Sequence, residues 1–93
     1  MTQDDDDESL AGLELAYERN TLSKEKEYLD LSRYYLYKNL PQKAIKAIKY
    51  GMDTGIVNEN KANYELLADS YFILKDRFKG IDYLIKSLEI EKD

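Results

Sequence analysis

Apolar residues recur along this chain at intervals of three and four, the spacing of one face of an α-helix. From about 23 to 38, for example, Tyr28, Leu31 and Tyr35 fall on one face. No segment alternates between apolar and polar residues with period two, so the pattern predicts no strand. We therefore predict an all-α fold with about five helices.

Residues typical of helix ends divide this pattern into segments. Asn39 and Gly55 suit the left-handed conformation that ends a helix, and Pro41 suits the first turn of a new one. The predicted N-caps are Ser9, Ser23, and either Asn58 or Asn60. In the last helix, from about 78, the residues expected to face the core are Ile81, Leu84, Ile85 and Leu88.

The second half of the chain repeats the first at an offset of 36 residues. The chemically matched pairs are Tyr28/Tyr64, Leu31/Leu67, Ser32/Ala68, Tyr35/Tyr71, Ala44/Gly80 and Ile48/Leu84. Because the matches extend over two predicted helices, the repeating unit is a helix pair. The small residues mark the places where the two helices of a pair approach closely.

This unit resembles the tetratricopeptide repeat, a helix pair of about 34 residues with an aromatic, a Leu, a small residue and a Tyr on its first helix. The resemblance implies a right-handed superhelix of antiparallel helix pairs. It divides residues 10–93 into the second helix of a partial preceding repeat (10–22) and two full units (23–58 and 59–93), and the acidic composition of residues 1–9 predicts a disordered tail. Since no polar capping helix follows, we expect a segment of a longer solenoid, or else stacking or homodimerisation through the last helix.

Residues 10–93 are also similar to part of a large tetratricopeptide protein associated with TonB-type transport systems of Gram-negative bacteria. The stretches that carry this resemblance are LELAYERNTLSKEKEYLDLSRYYLYKNLPQKAIK and NYELLADSYFILKDRFKGIDYLIKS. It implies an accessory role in such a system and a periplasmic location. Without it, the expectation is a small cytoplasmic adaptor.

Composition argues against several classes of function. The chain has no Cys and no His, so it lacks a thiolate nucleophile and the commonest acid–base residue and metal ligand. We predict a protein that is not an enzyme, with no catalytic residue, cofactor or metal site. The net charge of −5 lies in the acidic run 4–8, and the remaining residues carry no basic stripe, so we expect no nucleic-acid partner. No apolar run approaches the ~20 residues that span a bilayer, which predicts no direct membrane insertion.

The candidate binding surface follows from the tetratricopeptide resemblance, which implies that the first helix of each unit lines a concave groove. The predicted groove residues are Leu29, Arg33, Leu36, Tyr37, Glu65, Asp69, Phe72 and Ile73. We expect this groove to bind a protein or peptide segment on its apolar members, with Glu65 and Asp69 meeting Lys or Arg of the partner. The alternatives are contact with a neighbouring repeat, or a purely structural role as a spacer or oligomerisation module.

Overall fold

The computed structural model describes the backbone of residues 3–92 and the side chains of residues 11–90. Within them lie five helices and no strand, which confirms the predicted all-α class. The helices are α1 (Gln3–Glu18), α2 (Glu25–Tyr37), α3 (Pro41–Asp53), α4 (Lys61–Leu74) and α5 (Arg77–Lys92). The molecule is elongated, with principal extents of 40 × 26 × 24 Å.

Several predicted helix ends are confirmed. Asn39 (φ 62°) and Gly55 (φ 83°) both adopt the left-handed conformation, and Pro41 is the first residue of α3. The side-chain oxygen of Asn60 accepts a hydrogen bond from the backbone N–H of Asn63 at 2.9 Å, so Asn60 caps α4. Lys75 also has a positive φ (75°), which the sequence pattern did not indicate.

Two predicted helix starts differ from the structure. Helix α2 begins one residue later than a Ser23 cap requires, because the Glu27 carboxylate accepts the backbone N–H groups of Ser23 and Lys24 at 3.2 and 3.1 Å. Helix α1 begins at Gln3. The sequence instead predicts a disordered tail over residues 1–9 and a first helix capped at Ser9. An acidic run is compatible with a helix at this point because the N-terminus of a helix favours negative charge.

Each helix packs mainly against the next one along the chain, with α2 on α3, α3 on α4 and α4 on α5. The first core cluster has Tyr28, Leu31 and Tyr35 at its centre, and α1 contributes partly buried residues to it. The second cluster joins Ile45 and Ile48 of α3 to α4. Both members of four of the predicted pairs are buried: Leu31/Leu67, Ser32/Ala68, Tyr35/Tyr71 and Ala44/Gly80.

The prediction for the inward side of α5 is wrong. Ile81, Leu84, Ile85 and Leu88 are between 38% and 48% exposed. The helix instead turns Gly80, Tyr83 and Ser87 toward α4. Periodicity identifies an apolar face, but it does not say whether a neighbour covers that face. Among the described residues no helix packs on this side of α5.

Candidate partner-binding groove

The eight predicted groove residues lie outside the fully buried sides of α2 and α4. On α2 the buried side carries Tyr28, Leu31 and Tyr35. The predicted groove residues lie on the adjacent side of the helix, next to this buried side. The four on α4 occupy the same helical positions 36 residues later. Each set therefore forms a continuous strip along its own helix.

The apolar members of the groove differ in how much surface they offer. Tyr37 is 84% exposed, and Phe72 and Ile73 are exposed as well. Leu29 and Leu36 are half-buried because they pack against the first core cluster. The apolar surface open to a partner is thus concentrated at the ends of α2 and α4.

The charged members are partly committed to pairs within their own helices. Arg33 lies 3.9 Å from the Asp30 carboxylate, and both side chains remain accessible to solvent. The Glu65 carboxylate accepts a hydrogen bond from the ammonium of Lys61, one turn earlier. Asp69 is exposed one turn after Glu65, which makes it the acid of this strip most open to a cationic partner.

Phe72 connects the groove to α5. A Cβ atom placed on Gly80 would lie 2.7 Å from the Phe72 Cε1 atom and 2.8 Å from Cδ1, so the ring lies directly over the glycine. Gly80 is therefore required for the present position of this ring, which belongs to the predicted groove residues.

A tyrosine cluster between α1, α2 and α3 was not among the predicted sites. The rings of Tyr17 and Tyr28 meet edge to face with centroids 6.2 Å apart, and Tyr50 completes the group. The Tyr50 hydroxyl donates a hydrogen bond to the Asn20 side chain at 2.6 Å. Burial raises the pKa of both Tyr17 and Tyr28 above the ordinary value for tyrosine. A pocket of about 280 Å³ opens beside Tyr17 and Tyr50.

A second unpredicted feature lies between α4 and α5, where Tyr83 stacks on Tyr71 with centroids 5.4 Å apart and planes 4° apart. The Tyr64 ring also stacks on Tyr83, with centroids 6.0 Å apart, and the Tyr64 hydroxyl donates a hydrogen bond to the Glu59 carboxylate at 2.8 Å. Burial and this hydrogen bond raise the pKa of Tyr64 to about 12. The small residues Gly80 and Ser87 were the sequence signal for this side of α5, because they mark a close helix contact.

The neighbouring clefts carry charges of both signs. An open pocket of about 360 Å³ is lined by Glu59, Tyr64, Lys86, Glu89 and Ile90. Beside this pocket, the electrostatic interaction with Tyr83 is the main cause of the raised pKa of Lys49. Neither this pocket nor the one beside Tyr17 includes a predicted groove residue. The predicted groove residues therefore lie on open surface strips and line neither of these pockets.

No helix within the described residues is both long and apolar enough to cross a bilayer. The side chains described contain no group of three or more acids that could hold a metal ion. No known family model, curated protein or solved structure matches this chain.

Proposed function

We propose that this protein is a non-enzymatic scaffold for protein–protein interaction, built as a tetratricopeptide-like superhelix of helix pairs. The observation that carries the proposal is the joint exposure of Tyr37, Phe72 and Ile73 on matching strips of α2 and α4, because several large apolar side chains left open to solvent are typical of an interaction surface. Aromatic side chains are the typical anchors of protein interfaces, where they contribute large contact area at low entropic cost.

The partner's chemistry follows from the matching strip of predicted groove residues on α4. Phe72 and Ile73 offer further apolar surface on α4, and Asp69 lies exposed beside them. A segment with apolar anchors and a Lys or Arg would satisfy both features. Leu29 and Leu36 already pack on the core, so they contribute to the floor of the groove.

The proposal is tested by photo-crosslinking in an extract of the source organism. A photo-reactive phenylalanine analogue replaces Tyr37 in one variant and Lys46, an exposed residue of α3, in the matched control. We expect a discrete crosslinked protein from position 37 that is absent from position 46. Phe72→Ala and Asp69→Lys should each weaken that crosslink. If both leave it unchanged, or if position 46 captures the same protein, this groove is not the binding site.

A narrower form of the proposal is an accessory role in TonB-type transport, which rests on the sequence similarity of residues 10–93. Immunoblotting of fractionated cells tests it. A periplasmic band far above 11 kDa supports a segment of a long envelope protein. A cytosolic band near 11 kDa, close to the mass of these 93 residues, supports a small adaptor instead.

A further inference from the structure

Helix α5 carries an exposed apolar face on the side away from α4. We call this surface the α5 face, and its residues are Phe78, Ile81, Leu84, Ile85 and Leu88. Phe78 is 84% exposed, and the other four are more than a third exposed. Contiguous apolar surface of this extent on a small protein marks a place where another molecule binds.

The matching helix of the first unit shows which part of such a face a neighbouring helix covers. On α3, Ile45 and Ile48 stand 36 residues before Ile81 and Leu84, and α4 leaves them only 8% and 0% exposed. Gln42 and Lys49, which match Phe78 and Ile85, are polar and stay exposed. The α5 face is therefore wider than the strip that α4 covers, by those two apolar residues.

Among the residues whose side chains the structure describes, the charges along one border of the α5 face are acidic. Asp82 and Glu89 are seven residues apart, which places them on one side of α5 beside Ile85, and both are exposed. On α3 the position of Asp82 is taken by Lys46, so the sign is reversed there. Lys79 and Lys86 are turned away from the face, each about 6 Å from a tyrosine ring centroid of α4. Arg77 lies one turn before Ile81, so it adds a positive charge at the start of the face, away from the acidic border.

We propose that the α5 face binds an amphipathic helix of a partner protein, with an apolar stripe flanked on one side by Lys or Arg. Helix-in-groove recognition of this kind uses apolar anchors for affinity and border charges for selectivity. A second copy of the chain would bring the same acidic border against itself. Stacking of α5 on another copy's α1 would bring it against the acidic run 4–8. An anionic lipid surface would be repelled for the same reason. The α5 face shares no residue with the predicted groove on α2 and α4, so the inference stands without the groove.

Two designed helical peptides of about 18 residues test the inference on the full chain. They share one Leu/Ile stripe and one Trp, and differ only in having Lys or Glu at the flanking positions. Since the protein has no Trp, peptide fluorescence reports binding directly. We expect the Lys peptide to bind about tenfold more tightly than the Glu peptide, with an affinity that falls as salt is added.

Variants of exposed residues locate the site. Ile85→Lys should abolish binding of the Lys peptide, and Asp82→Lys with Glu89→Lys should reverse the preference between the two peptides. Lys46→Asp is the matched control, because it changes charge at the corresponding position of α3, and it should leave both affinities unchanged. Tyr37→Ala should also have no effect, which separates this test from that of the groove.

Three results would overturn the proposal. The first is equal binding of the two peptides, or binding of neither. The second is binding of the Lys peptide that survives Ile85→Lys. The third is concentration-dependent dimerisation in sedimentation equilibrium that Ile85→Lys abolishes, since the occupant would then be a second copy of the chain.

Discussion

The Phe72 ring lies over Gly80 so closely that a Cβ on the glycine would approach three ring atoms to 2.7–2.9 Å. Gly51 has a comparable place under Val57 and Tyr28, where the new Cβ would lie 3.1 Å from Val57 Cβ and 3.3 Å from Tyr28 Cγ. The two sites differ in their neighbours. Val57 and Tyr28 are fully buried, whereas Phe72 is exposed along one edge.

Gly51→Ala should destabilise the fold. The added methyl group has no room between two buried side chains, and overpacking of this kind costs about 1–3 kcal/mol. The higher helix propensity of Ala returns about 1 kcal/mol at most. We expect a net loss of about 1–2 kcal/mol in the free energy of unfolding, measured by urea denaturation. An unchanged midpoint would show that α3 can move away from Val57 at no cost.

Gly80→Ala should leave stability within about 0.5 kcal/mol of the native protein, because the propensity gain offsets the loss of the Phe72 contact. The Phe72 ring can swing toward solvent, away from its present place among the predicted groove residues. Binding of the partner captured through Tyr37 should weaken severalfold in an affinity measurement. A loss of stability as large as that of Gly51→Ala would contradict a mobile ring.

Glu25 ties the start of α2 to the loop before α4. Its carboxylate accepts the Asn58 N–H at 2.9 Å and the side-chain amide of Asn63 at 2.9 Å, and that Asn63 amide is buried. Glu25→Ala leaves these donors without a charged acceptor, so we expect a loss of about 1–3 kcal/mol by urea denaturation. The control is Asp30→Ala, which removes the solvent-accessible pairs with Lys26 and Arg33 and should cost less than about 1 kcal/mol. Equal losses of stability in the two variants would show that Glu25 does not stabilise the contact between α2 and the loop before α4.

Alkaline pH should unfold the protein through Tyr35. This side chain is 3% exposed and donates to the Glu14 carboxylate at 2.9 Å, so burial and that hydrogen bond raise its pKa well above the ordinary 10. Below pH 10 the folded and unfolded chains both keep the proton. Above pH 10 the Tyr35 hydroxyl loses its proton in the unfolded chain but keeps it in the folded chain. The free energy of unfolding therefore falls by about 1.4 kcal/mol per pH unit for this residue. Urea titrations at several pH values should show a shallower fall for Tyr35→Phe. An unchanged slope would contradict the prediction.

Lys75 is strained at the end of α4, and glycine should relieve that strain. Its φ of 75° is costly for a side chain with a Cβ, whereas glycine adopts it freely. Lys75→Gly should therefore raise the free energy of unfolding by about 0.5 kcal/mol after the entropy of the unfolded chain is counted. Gly55→Ala is the converse, since Gly55 has a φ of 83° and open space around it, and it should cost about 1 kcal/mol. The midpoint temperature of thermal unfolding should rise for Lys75→Gly and fall for Gly55→Ala.

The sequence predicted the helices well where the signals were local. Pro41, Gly55 and Asn60 fix their neighbours' backbone within a few residues, and each does so in the structure. The prediction for the buried side of α5 failed, because an apolar stripe identifies one face of a helix but does not show whether another helix covers that face. The groove stays a prediction of the tetratricopeptide resemblance, and its eight residues are exposed or half-buried along α2 and α4. The pairing of Glu65 with Lys61 depends on side-chain conformation, which a pattern of residue types does not contain.

The consecutive packing of α2 on α3, α3 on α4 and α4 on α5 has a kinetic consequence. Contacts between neighbours in sequence form without closing a long loop, so folding should take milliseconds or less. Since each end helix is held mainly from one side, it can detach while the middle pair keeps its contacts. Amide hydrogen exchange should then be slowest in α3 and become faster toward both ends of the chain.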